Sequence, residues 1–294
     1  MKNDIIYINR TTGEQEVELV PGGGTLKFLY GTTLGRFFLW GLMKRKLITA
    51  VVGRMMDRSF SKRYVNGFIQ KNGVNIEESQ KQKFDTFNDF FYRKLKQEVR
   101  VIEDGVVSPA DGKILAFQSV QDEAEFFVKG TPFCLAHFLG DEKLAEKYAK
   151  GSMAIIRLAP ADYHRFHFPF GGKVSETNKI KGKYASVSPL ALRKSLRIFC
   201  ENKREYAVLK SNSIGDVIIA EVGATMVGSI LQTYQAGSEV KKGDEKGYFK
   251  FGGSTVVLLF EPNTVQFNAD LLQNSKSGFE TTVLMGQTIA TPTK

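Results

Sequence analysis

Histidine is scarce in this chain, with His137, His164 and His167 the only three in 294 residues. Any proton chemistry that needs an imidazole must draw on them. Cysteine is scarcer still. Cys134 and Cys200 have no Cys-x-x-Cys spacing and no partners for a disulfide framework, which suits a reducing cytoplasm. A zinc site calls for His-x-x-x-His on a helix or a Cys pair beside the histidines; neither is present, and no metal is implied. Long apolar runs are missing as well. Phe37 to Met43, the longest, falls far short of the roughly 20 residues a spanning helix requires. Met1 to Arg10 lack the apolar core and small-residue cleavage site of a secretory signal. Acid is in deficit, 31 Asp and Glu against 41 Lys and Arg, for a formal charge of +10.

That charge is localised. Residues 24–71 carry ten Lys and Arg (Lys27, Arg36, Lys44, Arg45, Lys46, Arg54, Arg58, Lys62, Arg63, Lys71) against the single acid Asp57. Within the stretch Leu47, Ile48, Val51, Val52, Met55 and Met56 recur at helical spacing, after the aromatic-rich run Phe37, Phe38, Leu39, Trp40, Leu42, Met43. A basic amphipathic segment with Trp and Phe reads as an interfacial helix on anionic lipid. The alternative is a core-packing helix with solvated lysines. Nucleic acid is a weaker alternative, because no recognised binding motif accompanies the charge.

Residues 1–20 alternate like a strand or hairpin, Gly22-Gly23-Gly24 breaks the chain, and residues 25 to about 98 read as helices. Ser61 is expected to cap a helix ending before Gly73, and Thr86 with Asp89 to form a capping box. From Val106 the texture changes to short β-branched runs between Gly, Asp and Asn, with a short helix from Asp141 to Lys150. The expected class is α+β: residues 1–98 a mainly helical, basic membrane-associating region, and 99–294 a β-rich catalytic core.

The most informative feature is Gly252-Gly253-Ser254-Thr255, between Tyr248-Phe249-Lys250-Phe251 and Val256-Val257-Leu258-Leu259-Phe260. A serine behind two glycines in a strand-like run can swing its Oγ onto the preceding carbonyl, since glycine reaches backbone angles closed to other residues. Attack on Gly253 turns the peptide bond into an ester; β-elimination leaves dehydroalanine, which hydrolyses to a pyruvoyl group at a new N-terminus. A tight turn is the plain alternative. Ser254 needs a base, and Pro160-Ala161-Asp162-Tyr163-His164-Arg165-Phe166-His167 holds two imidazoles; the spacing leaves open whether they act together. Asp111, in Ser108-Pro109-Ala110-Asp111-Gly112-Lys113, is a candidate to orient a base, or simply turn chemistry.

Ser-Pro-Ala-Asp-Gly, then Pro-x-Asp-Tyr-His-x-x-His, then Val222-Gly223-Ala224-Thr225-Met226-Val227-Gly228-Ser229-Ile230, then Lys242 to Thr255 resemble, in order and spacing, the phosphatidylserine decarboxylase proenzymes. Phe87-Asn88-Asp89-Phe90-Phe91-Tyr92-Arg93-Lys94-Leu95 is similar to the family's segment entering the core. Gly252 stands where the familiar pattern has Leu. The resemblance implies a sandwich-like or barrel-like core and a self-processing triad in which Asp111 holds His167, His167 takes the Ser254 proton, and Ser254 attacks Gly253. It implies subunits 1–253 and 254–294, with the cofactor a covalent pyruvoyl group derived from Ser254. His164 resembles the residue associated with decarboxylation and protonation, a proton transfer that suits an imidazole of near-neutral pKa. The implied reaction converts phosphatidylserine to phosphatidylethanolamine and CO2 through a Schiff base, at the cytoplasmic face of an anionic membrane.

Lys129-Gly130-Thr131-Pro132-Phe133-Cys134-Leu135 resembles the opening of the family's apolar substrate loop. Phe133, Leu135 and Phe138 are candidate acyl-chain contacts or ordinary core. Two other classes are open. A serine hydrolase would use the same three residue types but place its serine in Gly-x-Ser-x-Gly on a strand-to-helix turn. A noncatalytic membrane module would share the basic helices without needing Ser254.

Overall fold

The computed structural model describes residues 5–18, 51, 53–120, 134–183, 197–223, 229–252 and 254–293. In chain order its early strands are β1 (Ile6–Ile8), β2 (Gln15–Val17), β3 (Val106–Val107), β4 (Gly112–Phe117), β5 (Met153–Leu158), β6 (Arg165–His167), β7 (Gly172–Val174) and β8 (Asn178–Ile180). There follow β9 (Arg204–Ser211), β10 (Gly215–Gly223), β11 (Ile230–Gln232), β12 (Glu239–Val240), β13 (Glu245–Phe249), β14 (Ser254–Phe260), β15 (Val265–Phe267), β16 (Glu280–Val283) and β17 (Thr288–Pro292). The helices used below are α1 (Val65–Asn72), α2 (Phe87–Phe91), α3 (Leu135–Leu139) and α4 (Glu142–Tyr148). The molecule is thus α+β, with large sheets and short helices.

The main sheet runs β12-β7-β9-β10-β14-β5-β4-β16-β1-β2, with β8 also on β9. Its centre, β10 and β14, consists of near-continuous Val, Ile and Leu, and such runs arise where a strand is covered on both faces. Alternation then sorts each strand. Val217, Ile219, Val256, Leu258 and Phe260 face a cluster shared with Phe166 and Phe249 of the small sheet β11-β13-β6, and with Val106, Val265 and Ile289 of β15-β17-β3. Ile218, Ala220, Val222, Val257 and Leu259 face Leu135, Phe138 and Leu139 of α3 and Ala145 and Tyr148 of α4. Sheet packs on sheet on one side only; the other side is roofed by helices.

The hairpin expected at the N-terminus is present as β1–β2, but it joins the core sheet, with β1 running parallel to β16. Glu18, just after it, lies beside Glu280 of β16 on the buried guanidinium of Arg157. The expected helical region thus begins after this hairpin. Helix α1 ends at Gly73 as its sequence indicates, Gly73 taking the left-handed C-cap at φ 63°. Ser61 does not cap it. Its Oγ donates to the Met56 and Arg58 carbonyls and accepts from Phe87 N, tying residues 56–58 to the start of α2. Thr86 caps α2 by accepting from Asp89 N, and Asp141 caps α4 by accepting from Leu144 N.

A third cluster positions the site. Val65, Phe87, Phe90 and Phe91 pack with Phe68, Phe84 and Phe251, and Phe251 meets Phe87 and Phe91 edge-on at 5.0 and 5.3 Å. Such ring pairs are worth about 0.5–1.5 kcal/mol beyond their buried area. Asn88, fully buried, accepts from Phe251 N at 2.8 Å and donates to Asp57 Oδ1 at 2.9 Å. The helical segment is therefore clamped to the chain three residues before Ser254.

Candidate active site

Ser254 opens β14, opposite Gly223 of β10 and Leu158 of β5. It is fully buried, and its Oγ has no hydrogen-bond partner among the described residues; the same holds for Thr255 Oγ1. An orphaned buried hydroxyl costs about 1–3 kcal/mol. Gly252 has φ 142°, a conformation L side chains rarely adopt and one that glycine reaches freely. Gly253, whose carbonyl Ser254 is expected to attack, lies outside the described residues.

His164 sits between β5 and β6, fully buried, its ring 3.8 Å from that of Phe91. Nδ1 is 2.8 Å from the Asp162 carbonyl, which can only accept, so Nδ1 carries the hydrogen and Nε2 presents a lone pair. Nε2 has no partner among the described residues. Burial, reinforced by the nearby charge of Arg93, lowers the His164 pKa to about 3. The imidazole is neutral at neutral pH and a weakened proton acceptor, not the near-neutral acid expected from sequence.

His167 ends β6. Its Nδ1 donates to the Gly243 carbonyl at 2.9 Å, leaving Nε2 to accept from the Tyr163 hydroxyl at 3.1 Å. Burial lowers its pKa as well. Asp111 is close, since His167 N donates to Pro109 O at 2.8 Å, but its carboxylate turns elsewhere. It takes Arg100 Nη2 at 2.5 Å and Met285 N at 2.8 Å. The three residues of the expected triad are thus not joined by hydrogen bonds. The Gly243 carbonyl orients the base, Tyr163 occupies its lone pair, and Arg100 holds the acid.

Sequence reasoning assigned nothing to Tyr163, Arg100, Asn88 or Arg93. Tyr163, within the quoted histidine motif, and Asn88 and Arg93, within the quoted Phe87–Leu95 segment, were legible as motif members; Arg100 carried no local signal. Phe133 lies outside the described residues, whereas Leu135 and Phe138 are buried on α3 in the helix-covered core. Phe138 is fully enclosed, because the apolar face of α3 is spent on roofing the main sheet.

The depressed histidines make stability pH-dependent. In the unfolded chain an imidazole binds its proton below about 6.5, whereas His164 in the fold stays neutral down to about 3. Stability is therefore unaffected above that unfolded value and falls as pH drops below it, by about 1.4 kcal/mol per pH unit for such a group. Denaturant titration of the Ser254→Ala chain between about pH 7 and pH 5 should show this slope, and His164→Asn should flatten it by about that amount. An unchanged slope in the Asn variant would rule out a neutral buried His164.

The molecule is a β-rich α+β protein with an enclosed serine at the head of a central strand and two buried imidazoles held neutral by burial. Residues 87–291 match the family model described as phosphatidylserine decarboxylase. The chain is 49% identical over 288 residues to the phosphatidylserine decarboxylase proenzyme of Fusobacterium nucleatum, covering 96% of each chain. It is 46% identical over 286 residues to that of Ruminiclostridium cellulolyticum, covering 96% of this chain and 95% of the other. With that of Chlamydia trachomatis the identity is 46% over 291 residues, covering 97% of each. The chain belongs to the phosphatidylserine decarboxylase family.

Proposed function

We infer that this protein is a carboxy-lyase of phospholipid biosynthesis that converts phosphatidylserine to phosphatidylethanolamine and CO2, using a pyruvoyl group made from its own Ser254. The carrying observation is the full-length similarity to proenzymes of that name together with a buried, unpartnered Ser254 Oγ. The residues fit the group. Ser254 is enclosed by β5 and β10; its side chain would end as a methyl group, with the ketone at the former Cα, so no hydroxyl donor would be left unsatisfied there. When formed, the pyruvoyl group supplies a carbonyl that takes up the substrate amine and an electron sink for the pair released as CO2 departs.

Processing breaks the Gly253–Ser254 amide, forms an ester through Ser254 Oγ, and eliminates the Gly253 carboxylate to leave dehydroalanine, whose hydrolysis takes up water and releases ammonia, giving subunits 1–253 and 254–294. His167 is the base for this step. Its Nε2 lone pair, with Nδ1 fixed on Gly243, takes the Ser254 proton once Tyr163 yields it. Asp111, held by Arg100, acts through space on the resulting imidazolium. His164 serves the decarboxylation step, its bare Nε2 passing a proton to the substrate carbon beside the Phe91 ring. The apolar setting favours loss of a charged carboxylate as neutral CO2. The test is direct: purified protein should convert phosphatidylserine to phosphatidylethanolamine, and failure by a preparation shown to be cut would overturn the reading.

No helix among the described residues is long and apolar enough to cross a membrane. Peripheral attachment through the basic N-terminal region fits what is described of it. Val51, Met55, Phe60 and Tyr64 are exposed, and Arg63 reaches over the Phe60 and Tyr64 rings. Met56, Val65, Phe68 and Ile69 meanwhile pack inward, so one segment both joins the fold and presents an apolar, cationic face. Of the stretch that suggested the contact, Phe37 to Ile48 and Val52 lie outside the described residues. Replacing Met55 and Phe60 by Ser should weaken flotation with anionic and neutral vesicles alike. Replacing Arg58, Lys62 and Arg63 by Gln should weaken only the anionic case, by about 1 kcal/mol per charge at low salt. Unchanged flotation of both variants would place the membrane contact elsewhere.

A further inference from the structure

Arg93 is buried and, among the described residues, has no carboxylate partner. Other buried cations are satisfied: Arg157 pairs with Glu18 and Glu280, Lys246 with Glu221, Arg165 with Glu245 and Arg100 with Glu78 and Asp111, while Arg204 donates to the Phe138, Asn202 and His137 carbonyls. Arg93 has one long hydrogen bond, Nη2 to the Ala161 carbonyl at 3.3 Å, while its Nε is enclosed without an acceptor. The acids that face it are already engaged. Asp111 and Glu78 hold Arg100, and Asp162 accepts from Ala159 N and Lys113.

A guanidinium taken out of water with an empty donor is costly unless an anion completes it. Its place says which anion. Consecutive carbonyls receive Arg93 and His164, Ala161 taking the first and Asp162 the second, and adjacent rings of α2 support them, Phe90 under Arg93 and Phe91 against His164. The cation therefore stands beside the reaction site without belonging to it.

We propose that Arg93 binds the phosphodiester of the lipid headgroup and so sets the serine portion of the substrate at Ser254 and His164. This rests on the reading above that the substrate is phosphatidylserine. Both the phosphodiester and the serine carboxylate are oxyanions that a planar fork can grip. The carboxylate is the poorer match, because it must leave as neutral CO2, and a guanidinium on it would stabilise the ground state and raise the barrier. The phosphodiester keeps its charge throughout, so gripping it positions without penalty.

Arg93→Gln and Arg93→Lys should be examined with dihexanoyl phosphatidylserine as substrate and two inhibitors. Dihexanoyl phosphatidylethanolamine carries the phosphodiester without the carboxylate; an O-acylserine carries the carboxylate without phosphate. The Gln variant should be cut normally, with KM for the substrate and the inhibition constant of the phosphatidylethanolamine both rising about 10- to 100-fold, the loss of one or two charge-assisted bonds. The O-acylserine constant and kcat should change little, and Lys should recover part of the loss. Weakened O-acylserine with unaffected phosphatidylethanolamine assigns Arg93 to the carboxylate and overturns the proposal. Unchanged constants with a lowered melting temperature make it structural and do the same. Should the Gln variant stay uncut, the Lys variant decides: processed protein with wild-type constants for both inhibitors overturns the proposal. Calorimetric binding of dihexanoyl phosphatidylethanolamine to wild type and variants gives the answer even if wild type releases no CO2, so failure of the enzymatic reading is seen separately.

Discussion

Ser254→Ala will remain a single chain and will release no CO2 from phosphatidylserine, whereas the wild type will separate into fragments 1–253 and 254–294. The same side chain supplies both the nucleophile for cleavage and the carbon skeleton of the cofactor, so its removal cannot be offset elsewhere. The loss should extend to background, beyond the about 10²–10⁴-fold typical of a proton-transfer residue. Packing gives no reason for the variant to misfold. Ser254 Oγ makes no hydrogen bond among the described residues, and alanine relieves an orphaned buried hydroxyl, so the variant should be at least as stable as the uncut wild type. Intact-mass measurement and thermal denaturation check both statements. An active preparation whose backbone is uncut would end the pyruvoyl reading.

The two histidines should separate processing from turnover. His167→Ala removes the lone pair that Tyr163 now occupies and the Nδ1 anchor on Gly243, and it should stay largely uncut. His164→Ala leaves that arrangement in place, so it should be cut normally and then lose about 10²–10⁴ in kcat. Tyr163→Phe sharpens the comparison. Freed of its hydroxyl donor, His167 Nε2 is more available as a base, and cleavage should not slow. Time courses of fragment formation, run beside CO2 release on fully processed protein, measure each step. Equal processing defects in His164→Ala and His167→Ala would refute the division of roles while leaving the overall reaction standing.

Much of the site was legible because its chemistry is local. Gly252-Gly253-Ser254 sets a hydroxyl next to a carbonyl and the histidine pair lies within four residues, so sequence marks both as candidates, while spacing alone leaves open a tight turn and whether the imidazoles act together. Strand character in β10 and β14, the N-terminal hairpin, the glycine ending α1, the Thr86 cap and the short helix after Asp141 are also short-range, set by alternation, backbone freedom and a side chain reaching its own amides. Partnership was not legible. Asp111 was expected on His167, yet Arg100 takes the carboxylate and a backbone carbonyl takes the imidazole; no spacing rule distinguishes a nearby acid from a bonded one. Leu135 and Phe138 look the same in sequence whether they face a ligand or a sheet, and the packing of α3 over β10 and β14 decided for the core.

Protonation belongs to the same category. His164 has ordinary neighbours in sequence, but burial against Phe91 makes its charged form costly and holds the expected acid in its neutral form. The sequence by itself determined which groups are available for cleavage and proton transfer, because covalent order carries that chemistry. Only the tertiary structure decided which partners they hold, which of them are charged and which are left bare, because desolvation and hydrogen bonding depend on segments that the chain order keeps far apart.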